Sequence, residues 1–314
     1  VSDETNHRIH TEHTLDQGPL SETLSRRLSG SELNTLLLKV FRERTQAGNA
    51  SDLLKRYHDN RFVKPAEVSA LDLKRLELDV LEIADAHAFE PIQLSPAAPL
   101  GSCSVVATVD QNKVISALRG TELVADATNM LALHISDGLK SGDLDNRSRH
   151  VRLSTTHRHV RAQQFHAPGM VPHFHVFCMV SSGMDQGSYS FEIPSFWEHI
   201  RVYRDIFDRL FHSPISVEIQ VRQGYADPEG LVRRVAGAGK TESVDVTVSL
   251  HSDKTNNAYY EGLQFTLVTE IQGNTYAIGD GGFVNWTQQL IGNKKQRMLI
   301  SAIGLERLTP LYRR

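Results

Sequence analysis

From Ser31 onward the apolar residues Leu33, Leu36, Leu37, Val40 and Phe41 recur at helical spacing, which predicts an amphipathic helix with Ser31 as N-cap and Glu32 in its first turn. A second short helix is expected from Ser51 to about Tyr57, before the irregular NRFVKP that Pro65 punctuates. Leu71, Leu73, Leu76, Leu78, Val80, Leu81 and Ile83 give a longer helix, about Ser69 to His87, a broad apolar face, and AFEPIQLSP after it turns extended. Between Ser154 and Ser182 the chain reads as two strands joined by a loop. On the first strand Thr156, Arg158 and Val160 share one face, and His157, His159 and Arg161 the other. Ala167, Pro168 and Gly169 mark the turn, and Phe174 to Val180 is apolar enough for a buried return strand.

Further on, Phe196, Ile200, Tyr203, Ile206, Phe207 and Leu210 define an amphipathic helix from about Pro194 to Phe211. Ile215 to Val221 alternates like a strand, and Gly224 to Lys240 reads as a small helix and loop. The last third offers VDVTVSL, LQFTLVTEI, TYAIGD and a run through Met298 to Ile300 as antiparallel strands with Asn and Gly turns between them. Before about Gly30 the residues are polar, and a loosely ordered tail is expected. The pattern is α+β: an antiparallel sheet flanked by helices, with residues 66–314 as its core and a helical N-terminal extension over 1–65.

At 314 residues and 40 % hydrophobic content the chain can bury a sizeable core. A net charge of −3 leaves no overall basic footprint for nucleic acid or an acidic membrane surface. No apolar run approaches the roughly 20 residues that span a bilayer, and the first residues lack a signal-peptide pattern, so the cytoplasm is the expected location. Cys103 and Cys178 sit in apolar contexts and read as buried, reduced thiols.

A charged arginine beside a buried sheet needs an anionic partner, from protein or ligand, which singles out Arg158. GAGKT, Gly237 to Thr241, invites a phosphate-loop reading, but Arg234 stands where that motif needs its first glycine. His157, His159, His166, His173 and His175 crowd the hairpin, yet CxxC and HExxH are absent and no acidic residue follows on the strand, so no metal is expected.

The string HRHVRAQ, then a loop and HFH, resembles motif 2 of the class II aminoacyl-tRNA synthetases in its histidyl form, and AIGLERL, Ala302 to Leu308, resembles motif 3. The long helix and strand ending at Pro96 resemble motif 1. The run into Asp126 and Thr128 resembles the segment that holds the substrate's ammonium group, and NNAYYEGLQF the strand bordering the amino-acid pocket. The resemblance spans about residues 70 to 308. It implies a class II synthetase-type fold, ATP with Mg as cofactor, and a homodimer built through motif 1. It also implies Arg158 on the α-phosphate, Phe174 stacked on adenine and Arg307 at the γ-phosphate, Arg158 and Arg307 being the catalytic pair. Substrate-binding positions are Asp126, Thr128, Val176, Val180, Tyr259, Tyr260 and Gly262.

Departures from the family pattern are specific. Val160 replaces an acidic residue two positions after Arg158, and Val176 and Val180 stand where histidyl enzymes bind imidazole. A further family arginine would fall near Thr255, with Lys254 the nearest cation. The chain ends six residues after Leu308, so no anticodon-binding domain is expected. Matches and departures together imply a paralogue that binds ATP and activates an amino acid or other small carboxylic acid as its adenylate, with tRNA not expected as a partner. The alternatives are a non-catalytic regulatory subunit of ATP phosphoribosyltransferase, serving histidine biosynthesis through a partner enzyme, and third a histidine-tRNA ligase subunit.

Overall fold

The computed structural model describes residues 17–145, 150–163, 172–242, 244–249, 259–271 and 273–312. The expected turn at Ala167 to Gly169, His166, and the pair Lys254 and Thr255 lie outside the described residues. The chain divides into two compact units, residues 1–60 with 117–121, and residues 61–116 with 122–314.

The first unit is helical. Helix α1 (Gln17–Glu22) occupies part of the stretch expected as a tail, and α2 (Gly30–Gln46) and α3 (Ala50–Asp59) follow. The cap of α2 is Ser29 rather than Ser31. Its hydroxyl accepts from the Glu32 amide while the Glu32 carboxylate accepts from the Ser29 amide, so two otherwise orphaned donors are satisfied reciprocally. A cap two residues earlier adds a half-turn, and Asn49 caps α3 by accepting from the Asp52 amide.

In the second unit Ser69 caps α4 (Ala70–Ala86), which buries Leu73, Leu76, Val80 and Ile83. Then come β1 (Glu90–Pro91), β2 (Ala97–Pro99), the short helix α5 (Ser102–Val106), β3 (Thr121–Leu123) and α6 (Ala127–Ser141). The remaining elements are β4 (Val151–Val160), β5 (His173–Met184), α7 (Glu192–Phe211), β6 (Ile215–Val221), α8 (Pro228–Ala238), β7 (Asp245–Ser249), β8 (Glu261–Ile271), β9 (Asn274–Val284), α9 (Trp286–Ile291), β10 (Gln296–Gly304) and α10 (Leu305–Leu308).

Eight strands form one sheet in the order β1-β4-β5-β10-β9-β8-β6-β7. Every pair is antiparallel except at the two edges, where β1 lies parallel to β4 and β7 parallel to β6. Because side chains alternate, each strand feeds two cores. Phe177, Met179, Leu299 and Ile303 pack with α4, α7 and α8 on one face. Val176, Cys178, Val180, Met298 and Ile300 pack with Leu131 and Ile135 of α6 and Trp286 of α9 on the other. Within the first core, buried His199 bridges Ser181 (Nε2 to Oγ, 3.0 Å) and Ser301 (Nδ1 to Oγ, 2.7 Å). Burial lowers its pKa to about 3, so the imidazole is neutral there.

β9 runs past the Asp280 at which TYAIGD was expected to end, because glycines let its neighbours close in. A Cβ on Gly279 would lie 2.1 Å from the Ala302 carbonyl oxygen, and one on Gly281 2.5 Å from that of Ile300 and from the Phe265 ring. Among the described residues no helix is long and apolar enough to cross a membrane.

Candidate functional site

On the α6 face of the sheet a cavity of about 1030 Å³ opens between the ends of β4, β5, β9 and β10 and the start of α6. Its volume lies at the upper end of the range for small-molecule sites.

Asp126 is the N-cap of α6. Its Oδ1 accepts from the Thr128 amide at 2.9 Å and the Thr128 hydroxyl at 2.7 Å, and its Oδ2 accepts from the Tyr259 hydroxyl at 2.6 Å. Burial alone would raise its pKa. His159, the Arg161 guanidinium and the bonds from Tyr259 and Thr128 outweigh that and keep the carboxyl below the usual range. Edge-to-face contacts with Tyr260 (4.8 Å) and Trp286 (5.3 Å) fix the Tyr259 ring. Capping and cavity lining are thus carried by one side chain.

A second carboxylate, Asp280 of β9, opens onto the same cavity. Its pKa is pushed up by burial and by Asp126, with Arg161 and a bond from Tyr260 offsetting part of the effect. His159 of β4, 2 % exposed, lines the same cavity. The Ala127 amide donates to its Nε2 at 2.9 Å, so Nε2 is an acceptor and the proton resides on Nδ1. Nδ1 has no hydrogen-bond partner among the described residues. Burial lowers the imidazole to about 3, so it is a neutral donor.

The cationic side of the cavity is Arg161, whose Nε donates to the Ala125 carbonyl at 3.1 Å and whose guanidinium lies 5.2 Å from the Phe174 ring centre. Lys113 and Arg307 stand exposed at the rim. Cys103 also lines the cavity, but burial pushes its thiol up to about 12, which leaves it protonated and a poor nucleophile.

Of the positions expected from sequence, the cavity brings together Asp126, Thr128, Phe174, Val176, Tyr259, Tyr260 and Arg307. Three others are elsewhere. Arg158 faces the α4 side of β4, the side on which Thr156 bonds Glu77, opposite His159 and Arg161. Its guanidinium pairs with Glu306 at 2.6 Å and meets His173 Nδ1 at 3.0 Å, so it supports the cavity wall from behind. Val180 is fully buried in the core under α6. Gly262 adopts φ +68° at a bulge in β8, where a Cβ would lie 2.7 Å from the Tyr225 ring. Its backbone bonds Arg222 and Gln223, so it shapes the strand after Tyr260 without entering the cavity. Arg161, His159 and Asp280 were not singled out from sequence. The alternation of β4 already grouped the first two, whereas nothing in TYAIGD marked an inward carboxylate.

Neither a protein-family model nor a curated protein matches the sequence. Solved structures do match in shape. Apo histidyl-tRNA synthetase from S. aureus is similar with TM-score 0.58 and 13 % identity, over 76 % of this chain and 64 % of that one, so the chain spans less than two thirds of that enzyme's length. An ATP phosphoribosyltransferase regulatory subunit/histidyl-tRNA synthetase from Bacillus halodurans gives 0.56 and 14 %, over 80 % and 83 %. A histidine-tRNA ligase subunit from Alicyclobacillus acidocaldarius gives 0.56 and 12 %, over 79 % and 94 %. Identities this low establish the fold: the chain has a class II synthetase-like core, a large, mostly antiparallel sheet flanked by helices.

Proposed function

We propose that the cavity binds ATP and a small amino acid and joins them as the aminoacyl adenylate. What carries this reading is the gathering of opposite charges in one cavity, with Asp126 and its hydrogen-bonded Tyr259 beside Arg161, and with Phe174 and the exposed cations Arg307 and Lys113 lining the same space. A substrate ammonium at Asp126 would hold its carboxylate toward Arg161. That carboxylate attacks the α-phosphorus of ATP, the bond to the β-phosphate oxygen breaks, and pyrophosphate leaves. Positioning and a cation beside the α-phosphate are most of what such a step asks of a protein. Phe174 supplies an apolar surface for adenine, and Arg307 and Lys113 face the outer phosphates. Arg158 is a positioning residue that holds Glu306, the neighbour of Arg307.

Magnesium is bound by one or two carboxylates together with phosphate and water. Among the described residues no group of three His, Cys, Asp or Glu side chains could hold a metal ion, so Mg would enter on the ATP phosphates. Transfer to tRNA is outside this reading, in keeping with the net charge of −3. A homodimer through α4 and the segment ending at Pro96 belongs to it, supported by Leu71 and Leu78, which stand 69 % and 55 % exposed on α4.

The test is amino-acid-dependent exchange of labelled pyrophosphate into ATP, run across all amino acids. Exchange with at least one supports the proposal, and ATP binding without any exchange overturns the adenylation step. A second reading, a non-catalytic regulatory subunit that senses an amino acid, is favoured by the commitment of Arg158 to Glu306 and would give amino-acid binding with neither exchange nor ATP binding.

A further inference from the structure

The wall of the cavity carries more negative charge than an ordinary amino acid answers. Asp126 and Asp280 both line it, and among the described residues neither is ion-paired; Arg161 is the cation that acts on both. Two carboxylates against one guanidinium leave an uncompensated negative charge on the cavity wall, with Asp126 partly buried and Asp280 exposed. The two carboxylates also differ in what they already hold. Asp126 accepts from Thr128 twice and from Tyr259, whereas Asp280 opens onto the cavity with a bond from Tyr260. A like-charge pair sharing one cation is stabilised by a second, and among the described residues neither carboxylate has an ion pair to supply it.

An independent feature points to a ligand at the same place. His159 is 2 % exposed and belongs to the cavity wall, and its Nδ1–H has no acceptor among the described residues. A buried donor without a partner costs about 1–3 kcal/mol. A ligand oxygen beside it removes that cost. The wall of the cavity therefore calls for positive charge at two points and an acceptor oxygen at a third.

We propose that the cavity selects a diamino acid, whose α-ammonium lies at Asp126, whose side-chain ammonium lies at Asp280, and whose carboxylate takes the Nδ1–H of His159 and faces Arg161. The net charge of such a ligand, one positive, cancels that of the two carboxylates and Arg161, whereas a neutral amino acid leaves Asp280 without an ion pair. This rests on the amino-acid reading of the cavity and adds to it the class of side chain. Val176, one of three β5 residues on the wall, offers a stem of methylenes an apolar surface and offers an imidazole no hydrogen bond.

Calorimetric titration of the full chain with L-ornithine and L-lysine, against L-norvaline and L-norleucine, isolates the side-chain amine, since each pair differs in that group alone. The diamino acids should bind at least tenfold more tightly. Asp280→Asn should abolish that advantage while leaving the neutral pair as they were, and Asp280→Ala serves where the amide disturbs folding, with the melting temperature followed for both. Affinity for ornithine should also fall with pH as Asp280 takes up its proton. Equal affinities in the unsubstituted protein, an advantage that survives both substitutions, or no binding by either diamino acid would overturn the proposal. Tight ornithine binding without pyrophosphate exchange would sustain it and remove the adenylation step. Exchange as fast with norvaline as with ornithine would do the reverse.

Discussion

Arg158 lies near the end of β4 and Arg161 just beyond it, where its amide still bonds the Pro172 carbonyl, so the odd separation sends them to opposite faces. Arg161 meets the cavity and Phe174, and Arg158 meets Glu306. Their substitutions should therefore separate. Arg161→Ala should weaken ATP binding about 10- to 100-fold, since a charge-assisted contact to phosphate is worth roughly 1.5–3 kcal/mol, with the melting temperature nearly unchanged. Arg158→Ala should instead act first on stability, by about 1 kcal/mol, because Glu306 keeps only 14 % of its side chain exposed and loses its counter-charge, while the half-open position of Arg158 limits the effect. Titration with ATP and thermal unfolding of the two variants check both; equal loss of ATP affinity would return Arg158 to the phosphate. Asp126→Asn is the matching test at the acidic side. Asparagine caps helices as well as aspartate does, so α6 should stay folded, while affinity for the amino acid falls at least tenfold because the ammonium loses its charge partner. A drop in the melting temperature without loss of binding would reduce Asp126 to a cap.

At the level of elements, acid should act through the strands and helices that trap titratable groups. Burial would raise the pKa of Glu77 on α4, but hydrogen bonds and charge from His175 on β5 and Lys74 hold it at about 2, against 4.5 for a free side chain. A lowered carboxyl pKa contributes stability that is complete above 4.5 and lost as pH falls toward 2, here roughly 2–3 kcal/mol. His199, lowered by burial to about 3, has the same sign: the unfolded chain takes up its proton near 6.5 and the folded one does not, so stability declines as pH drops through that window. Urea midpoints measured from pH 8 to 3 should fall progressively below about 6.5, and His199→Gln should flatten the part above pH 4.5. A slope unaffected by that substitution would remove His199 from the account. Gly281→Ala should cost roughly 1–3 kcal/mol, because the new methyl meets the Phe265 ring and the β10 backbone at 2.5 Å. These elements also mark how far the sequence could be read. Helices α4 and α7 and the strand β6 carry their periods openly, and the Asp126 cap is a local signal. Which face of β4 turns to the cavity and which to α4 decides the place of Arg158, and no local pattern states it. The glycine run around Asp280 looked like a strand end, because close approach of a neighbouring strand leaves no mark within one strand's own period.

For the whole molecule, self-association through α4 is the expected behaviour. Leu73, Leu76, Val80 and Ile83 of that helix face the sheet and are buried. Leu71 and Leu78, one heptad apart, share another side of it and stay 69 % and 55 % exposed. Beside α4, strand β1 forms the edge of the sheet with only two residues, so its outer backbone groups have no neighbouring strand among the described residues. Two leucines and an open sheet edge are features that a second copy related by a two-fold axis can cover with the same surface on each side. A dimer that buries a standard interface, about 800 Å² on each partner, should persist at low micromolar concentration. Leu71→Glu combined with Leu78→Glu should place charge on that surface, convert the dimer to monomer in sedimentation velocity, and leave the melting temperature within a few degrees, since neither side chain is packed in the core. Monomeric behaviour of the unsubstituted chain across the concentration range would overturn the prediction. A dimer that the double substitution leaves intact would move the interface off α4.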